Sequence, residues 1–359
     1  MAIFTDVLQD VTKNGRKLPT NEYKEFGHHP IIDQGQNDIA GYTDETNGLF
    51  SDVPAIIFGD HTRVIKYVDV PFFIGADGVK ILKAKGNKAN YKFLYYALSS
   101  AKIPNTGYNR HFKWLKEVDI PTYTEREQSQ IVSELDRITA LIDLRTEQLN
   151  KLDQLVKSRF IELFGDPVNN SKNLPELTLP ELGEFGRGVS KHRPRNDPKL
   201  LGGKYPLIQT GEVANSELYI TSYENTYSEL GLKQSKMWQT GTLCITIAAN
   251  IAKTAILTFD ACFPDSVVGF KANDKTNNIF IHYWFSFFQA ILEAQAPESA
   301  QKNINLKILS ELKIIVPPIE RQNEFVAFVK QTDKLKFEVK EALEKLETLK
   351  KSLMQQYFG

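Results

Sequence analysis

The stretch KLDQLVKSRFIELFG at residues 151–165 occurs a second time, as KLETLKKSLMQQYFG, at residues 345–359. The match extends backwards without a gap, so that residues 109–165 align with 303–359 and 17 of the 57 pairs are identical. The offset of 194 residues between the copies is much longer than the period of a solenoid repeat, which is roughly 20–50 residues. The chain therefore contains one duplicated module rather than an array of short repeats.

Both copies of the module predict a long helix with a single apolar stripe, over 125–164 and 319–358. Apolar side chains recur at steps of three and four residues, which is a heptad pattern. The stripe consists of Leu135, Ile138, Ile142, Leu149, Leu152, Val156 and Leu163 in the first copy, and of Val329, Val339, Leu343, Leu346, Leu353 and Tyr357 in the second. Gly165 and Pro167 end the first helix, because glycine adopts the left-handed cap and proline cannot continue a helix. The shared frame favours pairing of the two helices with each other over two unrelated surface helices on separate cores.

The segments before the helices have the composition of α+β globules. Residues 1–112 and 166–306 are rich in Gly, Pro, Asn and Tyr, and contain short β-type runs such as 55–58, 64–68 and 243–247. Faint similarity relates them, since HPII at 29–32 with Gly35 resembles YPLI at 205–208 with Gly211. We predict a first globule at 1–118, a first helical spacer at 119–165, a second globule at 166–312 and a second helical spacer at 313–359.

Composition and charge exclude several classes of protein. No apolar run approaches the roughly 18 residues of a membrane-spanning helix, and the start of the chain does not resemble a signal peptide. We therefore expect a cytoplasmic protein without a membrane partner. Cys244 and Cys262 lack the close spacing to other ligands that a zinc site requires.

The 44 basic and 44 acidic residues balance, which is a mild argument against nucleic acid, although local clusters matter more than the average. Five lysines lie within residues 80–92, and a second basic stretch spans residues 187–204. Each cluster indicates either a solvated face or a surface that contacts phosphates. The second contains Gly and Pro, which indicates a loop.

This layout resembles the specificity subunit of Type I restriction–modification systems. The resemblance rests on the proline-containing start of each helix with its glutamine (121–128 and 317–322), on the heptad helix, and on the terminal Lys-Ser…Phe-Gly signature at 157–165 and 351–359. It implies an α+β fold in which two target recognition globules are separated by an antiparallel coiled coil of two long helices, with a pseudo-two-fold internal repeat. The implied partners are double-stranded DNA, two methyltransferase (modification) subunits and restriction subunits.

Catalytic motifs are missing from the sequence. A methyltransferase would need a Gly-rich S-adenosylmethionine loop and an Asn/Asp-Pro-Pro-aromatic motif, and neither is found. Gly203-Lys204 is followed by Tyr205 instead of the Ser or Thr of a phosphate-binding loop. In agreement with the resemblance, we expect a non-catalytic subunit that holds no cofactor and no metal.

Base reading requires Arg or Lys for guanine and Asn or Gln for adenine, on loops that reach a groove. Several loops offer these residue types, and the turn 61–63 is taken as the counterpart of 252–254. The candidates are Gln34, Gln36, Asn37, Thr62, Arg63 and Arg110 in the first globule, and Arg187, Lys191, Arg193, Arg195, Thr210, Asn250, Lys253, Lys302 and Asn303 in the second. Any one of them alone is more simply interpreted as a surface polar residue, but as a set they are expected to contact DNA. Because the loops differ between the globules, two different half-sites are predicted.

Two other interpretations compete with DNA recognition. The chain could be a protein scaffold whose two globules bind partner proteins and never touch DNA, or an enzyme of unrecognised type. The basic stretches favour DNA binding over the scaffold, whereas the neutral overall charge favours the scaffold slightly. A salt titration separates the first two, because phosphate contacts make affinity fall steeply with salt.

Overall fold

The computed structural model describes residues 1–75, 77–86, 88–248, 251–295 and 304–359, with only the backbone of 290–295. These residues form two compact units. Unit 1 comprises Met1–Glu147 and Lys340–Gly359, and unit 2 comprises Gln148–Val339. Each unit therefore combines one globule with a part of both long helices.

The strands of unit 1 are short, and most of them pair antiparallel. They are β1 (Ala2–Ile3), β2 (Leu8–Asp10), β3 (His29–Ile32), β4 (Gly41–Thr43), β5 (Ala55–Gly59), β6 (Ile65–Val68), β7 (Phe73–Ile74), β8 (Val79–Ala84) and β9 (Asp119–Ile120). They form a sheet of order β2-β8-β5-β6, a sheet of order β4-β3-β7 and the pair β1-β9. The central strand β5 is buried along its whole length, which suits its β-branched and aromatic side chains.

The strands of unit 2 are also short, and among the described residues there are two more of them than in unit 1. They are β10 (Glu176–Leu177), β11 (Gly183–Arg187), β12 (Leu201–Leu207), β13 (Tyr219–Ile220), β14 (Asn225–Tyr227), β15 (Met237–Trp238), β16 (Leu243–Thr246), β17 (Thr254–Leu257), β18 (Ala261–Cys262), β19 (Val267–Ala272) and β20 (Ile314–Ile315). Their sheets have the orders β11-β19-β16-β17-β13, β14-β12-β18-β15 and β10-β20.

The two units share one strand plan. The order β2-β8-β5-β6 corresponds to β11-β19-β16-β17, the order β4-β3-β7 to β14-β12-β18, and the pair β1-β9 to β10-β20. Even the parallel pair is kept, since β3 runs parallel to β7 and β12 runs parallel to β18. Unit 2 adds β13 and β15 at sheet edges. The internal repeat therefore extends through the globules, where the sequences have little in common.

Two of the helices are far longer than the rest. The helices are α1 (Phe4–Val7), α2 (Tyr91–Ser99), α3 (Phe112–Leu115), α4 (Glu125–Phe164), α5 (Leu179–Leu182), α6 (Thr210–Asn215), α7 (Glu229–Lys233), α8 (Asn278–Gln295), α9 (Leu306–Glu311) and α10 (Ile319–Phe358). The long helices α4 and α10 have 40 residues each and span the ranges predicted from the sequence. Among the described helices, none combines the length and the hydropathy that crossing a bilayer would require.

A repeated glutamine fastens the start of both long helices. The Gln128 side chain donates to the Tyr123 carbonyl at 3.0 Å, and the Gln322 side chain donates to the Pro317 carbonyl at 2.9 Å. Each bond reaches back five residues, so that it fixes the angle at which the chain enters the helix. This shared role accounts for the identity of the two positions in the sequence repeat.

In unit 2 the end of α4 lies antiparallel to the beginning of α10. Arg159 donates to Glu324 at 2.7 Å, and Asp153 bonds to Lys336. Residue numbers rise along one helix as they fall along the other, which defines the antiparallel direction. The α+β class with two antiparallel long helices, predicted from the sequence, is thus confirmed.

The core of unit 2 is completed by aromatic side chains of α4. Phe160 is fully buried and its ring centroid lies 4.9–5.4 Å from those of four other phenylalanines. These neighbours are Phe164, Phe280, Phe287 and Phe325. Phe160 therefore joins the first long helix to α8 and to the second long helix.

In unit 1 the end of α10 plays the corresponding part. Tyr357 donates its hydroxyl to Glu134 of α4 at 2.7 Å, and its carbonyl accepts from the Tyr123 hydroxyl at 3.0 Å. The Phe358 ring lies 5.4 Å from that of Phe93 on α2. The last turns of the second helix thus belong to the core of the first globule.

We expect Phe160→Ala to lower the free energy of unfolding of unit 2 by about 3–5 kcal/mol, the usual cost of removing a buried phenylalanine ring. The matched control is Leu155→Ala on the same helix, because Leu155 is 49% exposed and an exposed change costs about 0.5 kcal/mol or less. Urea unfolding of the full chain measures both. Equal effects of the two substitutions would contradict this packing.

Candidate DNA-binding surface

Three loops of unit 1 meet at the side chain of Gln34. Its amide nitrogen donates to the Asp77 carbonyl at 2.9 Å, and its amide oxygen accepts from the His61 backbone nitrogen at 3.2 Å. The Thr62 hydroxyl donates to the Gln34 carbonyl at 2.7 Å. The loops that follow β3, β5 and β7 are therefore joined at one sheet edge.

A fourth loop is tied to this edge through the buried residue Asp60. The Asp60 carbonyl accepts from the backbone nitrogen of His111 at 2.8 Å, and its carboxylate accepts from that of Phe112 at 2.6 Å. The Asp60 nitrogen donates to the Gly78 carbonyl at 2.6 Å. These bonds hold the segment before α3, which contains Arg110, next to the strand turns.

A buried lysine supports the loop that carries Gln36 and Asn37. The side chain of Lys66 on β6 is 3% exposed and lies 3.5 Å from the carboxylate of Asp33. Its ammonium group donates to the Asn37 carbonyl at 2.5 Å. Burial lowers the pKa of Lys66, and the charge of Asp33 opposes that shift. The buried lysine thus holds the backbone of this loop, while the side chains of Gln36 and Asn37 are exposed to solvent.

The turn between β5 and β6 presents Thr62 and Arg63 beside an open cleft. Arg63 has a left-handed backbone with φ of 64°, and its guanidinium donates to the Ile103 carbonyl at 3.3 Å. The cleft has a volume of about 480 Å³, and Gln36, Thr62 and Arg63 are among the residues that line it. Three candidate residues thus share one surface.

Arg110 lies near Asp77, a residue of the same edge, as shown by the effect of its charge on that carboxyl group. A hydrogen bond from Lys17 holds the pKa of Asp77 below its ordinary value, and the charge of Arg110 adds to this effect. The structure therefore brings together all six candidates of the first globule: Gln34, Gln36, Asn37, Thr62, Arg63 and Arg110.

In unit 2 the corresponding strand turn keeps the backbone bonds and changes its length. The Ala252 nitrogen donates to the Thr246 carbonyl at 2.9 Å, as the Arg63 nitrogen does to Gly59 at 2.7 Å. Ala252 is also left-handed, with φ of 56°. Lys253 follows this residue, so it occupies a different place from the one that the sequence alignment assumed. The alignment failed because the turn of unit 2 is two residues longer between its bonded ends.

Bonds equivalent to those of Asp60 recur in unit 2. The Ile247 nitrogen donates to the Ser266 carbonyl at 3.0 Å, and the Ile247 carbonyl accepts from the Ile304 nitrogen at 3.0 Å. In unit 2 the β16–β17 turn, the β18–β19 turn and the start of the repeated module therefore meet, as the β5–β6 turn, the β7–β8 turn and the start of the module do in unit 1. The bonds that the two units share at this edge are made by backbone atoms.

Thr210 starts a short helix where unit 1 has an irregular loop. It is the first residue of α6, and a capping box between Gln209 and Glu212 fixes the helix start. The carboxylate of Glu212 accepts from the Gln209 nitrogen at 3.1 Å. The loop after the parallel strand thus differs in conformation between the two globules.

The basic stretch of unit 2 folds back on itself. His192 lies 3.0 Å from Asp197. The guanidinium of Arg193 lies 3.6 Å from Asp265, and Arg195 bonds to the same carboxylate. Asp265 therefore neutralises two of the predicted phosphate-binding arginines, while remaining partly exposed itself.

Arg187 and Lys191 are exposed at the beginning of this stretch. Arg187 is the last residue of β11, and the Lys191 nitrogen donates to the side chain of Gln234 at 2.7 Å. Asn250, Lys302 and Asn303 lie outside the described residues.

In both units, the turn before the equivalent strand contains an aspartate that forms an ion pair with a basic residue of the equivalent loop. Asp77 precedes β8 and bonds to Lys17 of the β2–β3 loop. Asp265 precedes β19 and bonds to Arg195 of the β11–β12 loop. Because Asp265 lies next to Ser266, the basic stretch belongs to the equivalent sheet edge of unit 2. Sequence reasoning missed Lys17, although the position of the basic stretch before YPLI could have drawn attention to the segment before HPII.

The chain thus has two globules with one strand plan, each with polar and cationic loops gathered at one sheet edge. The chain belongs to the family described as the Type I restriction modification DNA specificity domain, whose model matches residues 5–154 and 176–350. The match includes both globules and most of both long helices.

Curated relatives carry the same family name. The chain is 25% identical to the Type I restriction enzyme EcoR124I/EcoR124II specificity subunit of Escherichia coli, covering 91% of this chain and 84% of that one. It is 23% identical to the EcoBI specificity subunit of Escherichia coli, covering 77% of this chain and 67% of the relative.

Solved structures share the fold. The S subunit of a Type I restriction–modification system from M. genitalium aligns with a TM-score of 0.63 at 17% identity, covering 99% of this chain and 95% of that one. A chain from a study of assembly and conformational transition of the type I R-M system aligns with a TM-score of 0.57 at 17% identity, over 99% and 95% of the two chains. At this identity the likeness concerns the fold alone.

We expect Asp265→Asn to strengthen binding of the full chain to non-specific duplex DNA, because it frees Arg193 and Arg195 for phosphates. The slope of log affinity against log salt should steepen by about one to two, since each phosphate contact contributes about 0.9. Fluorescence anisotropy at several salt concentrations measures this slope. Asp274→Asn, an exposed carboxylate in the turn before α8, removes the same charge and serves as the control. An identical slope for both variants would contradict this role of Asp265.

Proposed function

We propose that this chain is the sequence-specific DNA-binding subunit of a Type I restriction–modification complex and that it reads a bipartite, asymmetric site. The observation that carries the proposal is the shared strand plan of the two units, which offers different side chains at equivalent places. One globule would read each half-site. Family membership supports the class of function.

The chemistry of the edges suits base reading. In unit 1 the exposed amides of Gln36 and Asn37 and the guanidinium of Arg63 supply the groups that pair with adenine and guanine in the major groove. In unit 2 Thr210 lies at a helix start in the equivalent loop, and the equivalent turn is longer, with Lys253 after the left-handed residue Ala252. Different hydrogen-bonding groups select different bases, so the two half-sites should differ. Lys17, Arg110 and the basic stretch would contact phosphates and position each globule.

The partners of the complex would dock on the long helices. Large apolar side chains on both helices remain exposed, among them Leu144 (56%), Leu155 (49%), Phe337 (63%) and Leu349 (48%). Exposed apolar side chains on these helices would be covered by protein partners. We assign these surfaces to two methyltransferase (modification) subunits and to restriction subunits, in the cytoplasm where the DNA is.

The chain itself would perform no chemistry. Its loops supply amides, hydroxyls and cations, which bind DNA but do not transfer groups. Methyl transfer and cleavage would then belong to the partner subunits. Robust methylation of DNA by the purified single chain with S-adenosylmethionine would contradict this division of labour.

The decisive experiment is methylome sequencing of cells that contain the complete system, with and without this subunit. We expect one methylated sequence with two different halves, present only with the subunit. Replacing residues 166–312 by the globule of another specificity subunit should change one half only, because the other globule is untouched. A change in both halves, or one continuous methylated site, would exclude the two-reader proposal.

A salt titration of DNA binding tests the scaffold alternative. A DNA-binding subunit should lose affinity steeply between about 50 and 200 mM salt, because each neutralised phosphate releases counterions. A scaffold for partner proteins would bind no duplex at either concentration. Methylation that persists unchanged without the chain would favour that scaffold.

A further inference from the structure

The loops of unit 1 that meet at Gln34, His61 and Asp77 are called the reading edge. An aromatic side chain at this edge has one ring face uncovered. Tyr108 is 88% exposed. Its ring stacks on that of His61, with 4.7 Å between the centroids and 8° between the planes. A tyrosine gains much from burial of its ring, so a loop that holds the ring out in solvent forgoes a large stabilisation. The other face of the ring is free to receive a second flat group.

The loop around Tyr108 is built to hold this position. Gly107 has a left-handed φ of 77°, a conformation that glycine adopts without strain. The Asn109 nitrogen donates to the Gly107 carbonyl at 2.8 Å, and the Gly107 nitrogen donates to the Asn105 side chain at 3.1 Å. The turn is thereby closed on both sides of Tyr108, so the ring projects from a short, bonded loop.

The support beneath the ring is equally fixed. The His61 nitrogen donates to the Gln34 side chain at 3.2 Å. A Cβ added to Gly78 would lie 2.8 Å from Cδ2 of His61, so the imidazole packs directly on a glycine backbone. Gly78 also has a left-handed φ of 82°, which favours glycine there. Two of the residues that seat His61, Gln34 and Gly78, belong to loops of the proposed reading edge.

We propose that Tyr108 is a specificity-determining residue of the first half-site, where its free face stacks on a DNA base at an opened base step. This inference rests on the proposed function. A base inside an intact duplex has both faces covered by its neighbours, so that it can meet the tyrosine only where a step is unstacked. Arg110, two residues from Tyr108 in the chain, would contact a phosphate beside that step.

This role adds a contribution to recognition that hydrogen bonds do not supply. Opening a step costs least at flexible pyrimidine–purine steps, and side chains inserted between bases kink the duplex there. Tyr108 would therefore favour half-sites that contain or adjoin such a step, at positions where no side chain reads a base edge. The simpler alternative is that Tyr108 only covers His61.

The test uses the full chain and a duplex that carries the site found by methylome sequencing. 2-Aminopurine replaces each adenine in turn, within and next to the half-site that the 166–312 exchange leaves unchanged. Its fluorescence rises when a base loses a stacking neighbour. We expect binding of the unaltered chain to raise this signal at one step only.

Tyr108→Ala should abolish that rise and weaken binding of the specific duplex about ten- to a hundredfold, the range found when an aromatic ring that stacks on a base is removed. Tyr108→Phe should keep both the signal and the affinity, because the ring remains. Phe26→Ala is the matched control, since Phe26 is another aromatic of unit 1 and is 78% exposed. It should change neither quantity. Circular dichroism melts confirm that each variant is folded.

The outcomes separate this role from the proposed function. If the unaltered chain binds the duplex with sequence preference, and Tyr108→Ala matches it in affinity and in fluorescence, the stacking role is wrong while the proposed function stands. A similar loss in Phe26→Ala and Tyr108→Ala would also exclude the stacking role. If the unaltered chain shows no sequence preference, the proposed function fails and the stacking role fails with it.

Discussion

Each long helix carries an apolar stripe that its own residues cannot bury, and the rest of the fold is arranged around that need. A helix with one apolar face requires another element to cover it. The apolar stripes are not buried by two independent domains that follow one another in the chain. Unit 2 buries Val156, Phe160 and Phe164 from the first helix, and unit 1 covers Leu353 and Phe358 from the second. Each globule thus completes its core with the last turns of a long helix. The second globule uses the end of α4, and the first globule uses the end of α10.

The helices were predictable because their signals are local and redundant. Seam residues such as Leu135 and Val329 are fully buried, whereas Leu144, outside the seam, is 56% exposed. The glycine at position 165 has the left-handed φ of 76° expected of a helix cap. Periodicity, caps and duplication all indicated the same boundaries, and the structure agrees with them.

The globules were harder to predict because their order is not local. Strands such as β7 and β18 have two residues each, too few to show an alternating pattern. Their pairing becomes evident only through sheet topology, which joins segments that are distant in the chain. The candidate loops of the first globule could be proposed as neighbours because amide and guanidinium residues follow strand-like runs. Lys17, Lys66 and Tyr108 were missed, since one supports a loop from below and the other two lie on loops without periodic signals. The displacement of Lys253 arose from a length difference that a gapless comparison cannot show.

The backbone character of the reading edge has a consequence for evolution. Asp60 and Ile247 hold the same turns together through main-chain nitrogens and carbonyls, and these atoms are present whatever the side chain. Most exposed side chains at the edge can therefore mutate while the scaffold keeps its shape. Such a surface can acquire a new preference through single codon changes with little loss of stability. Under the proposed function, a lineage that carries this protein would then change which sequence it marks as its own faster than an invading genome could adapt to the previous one.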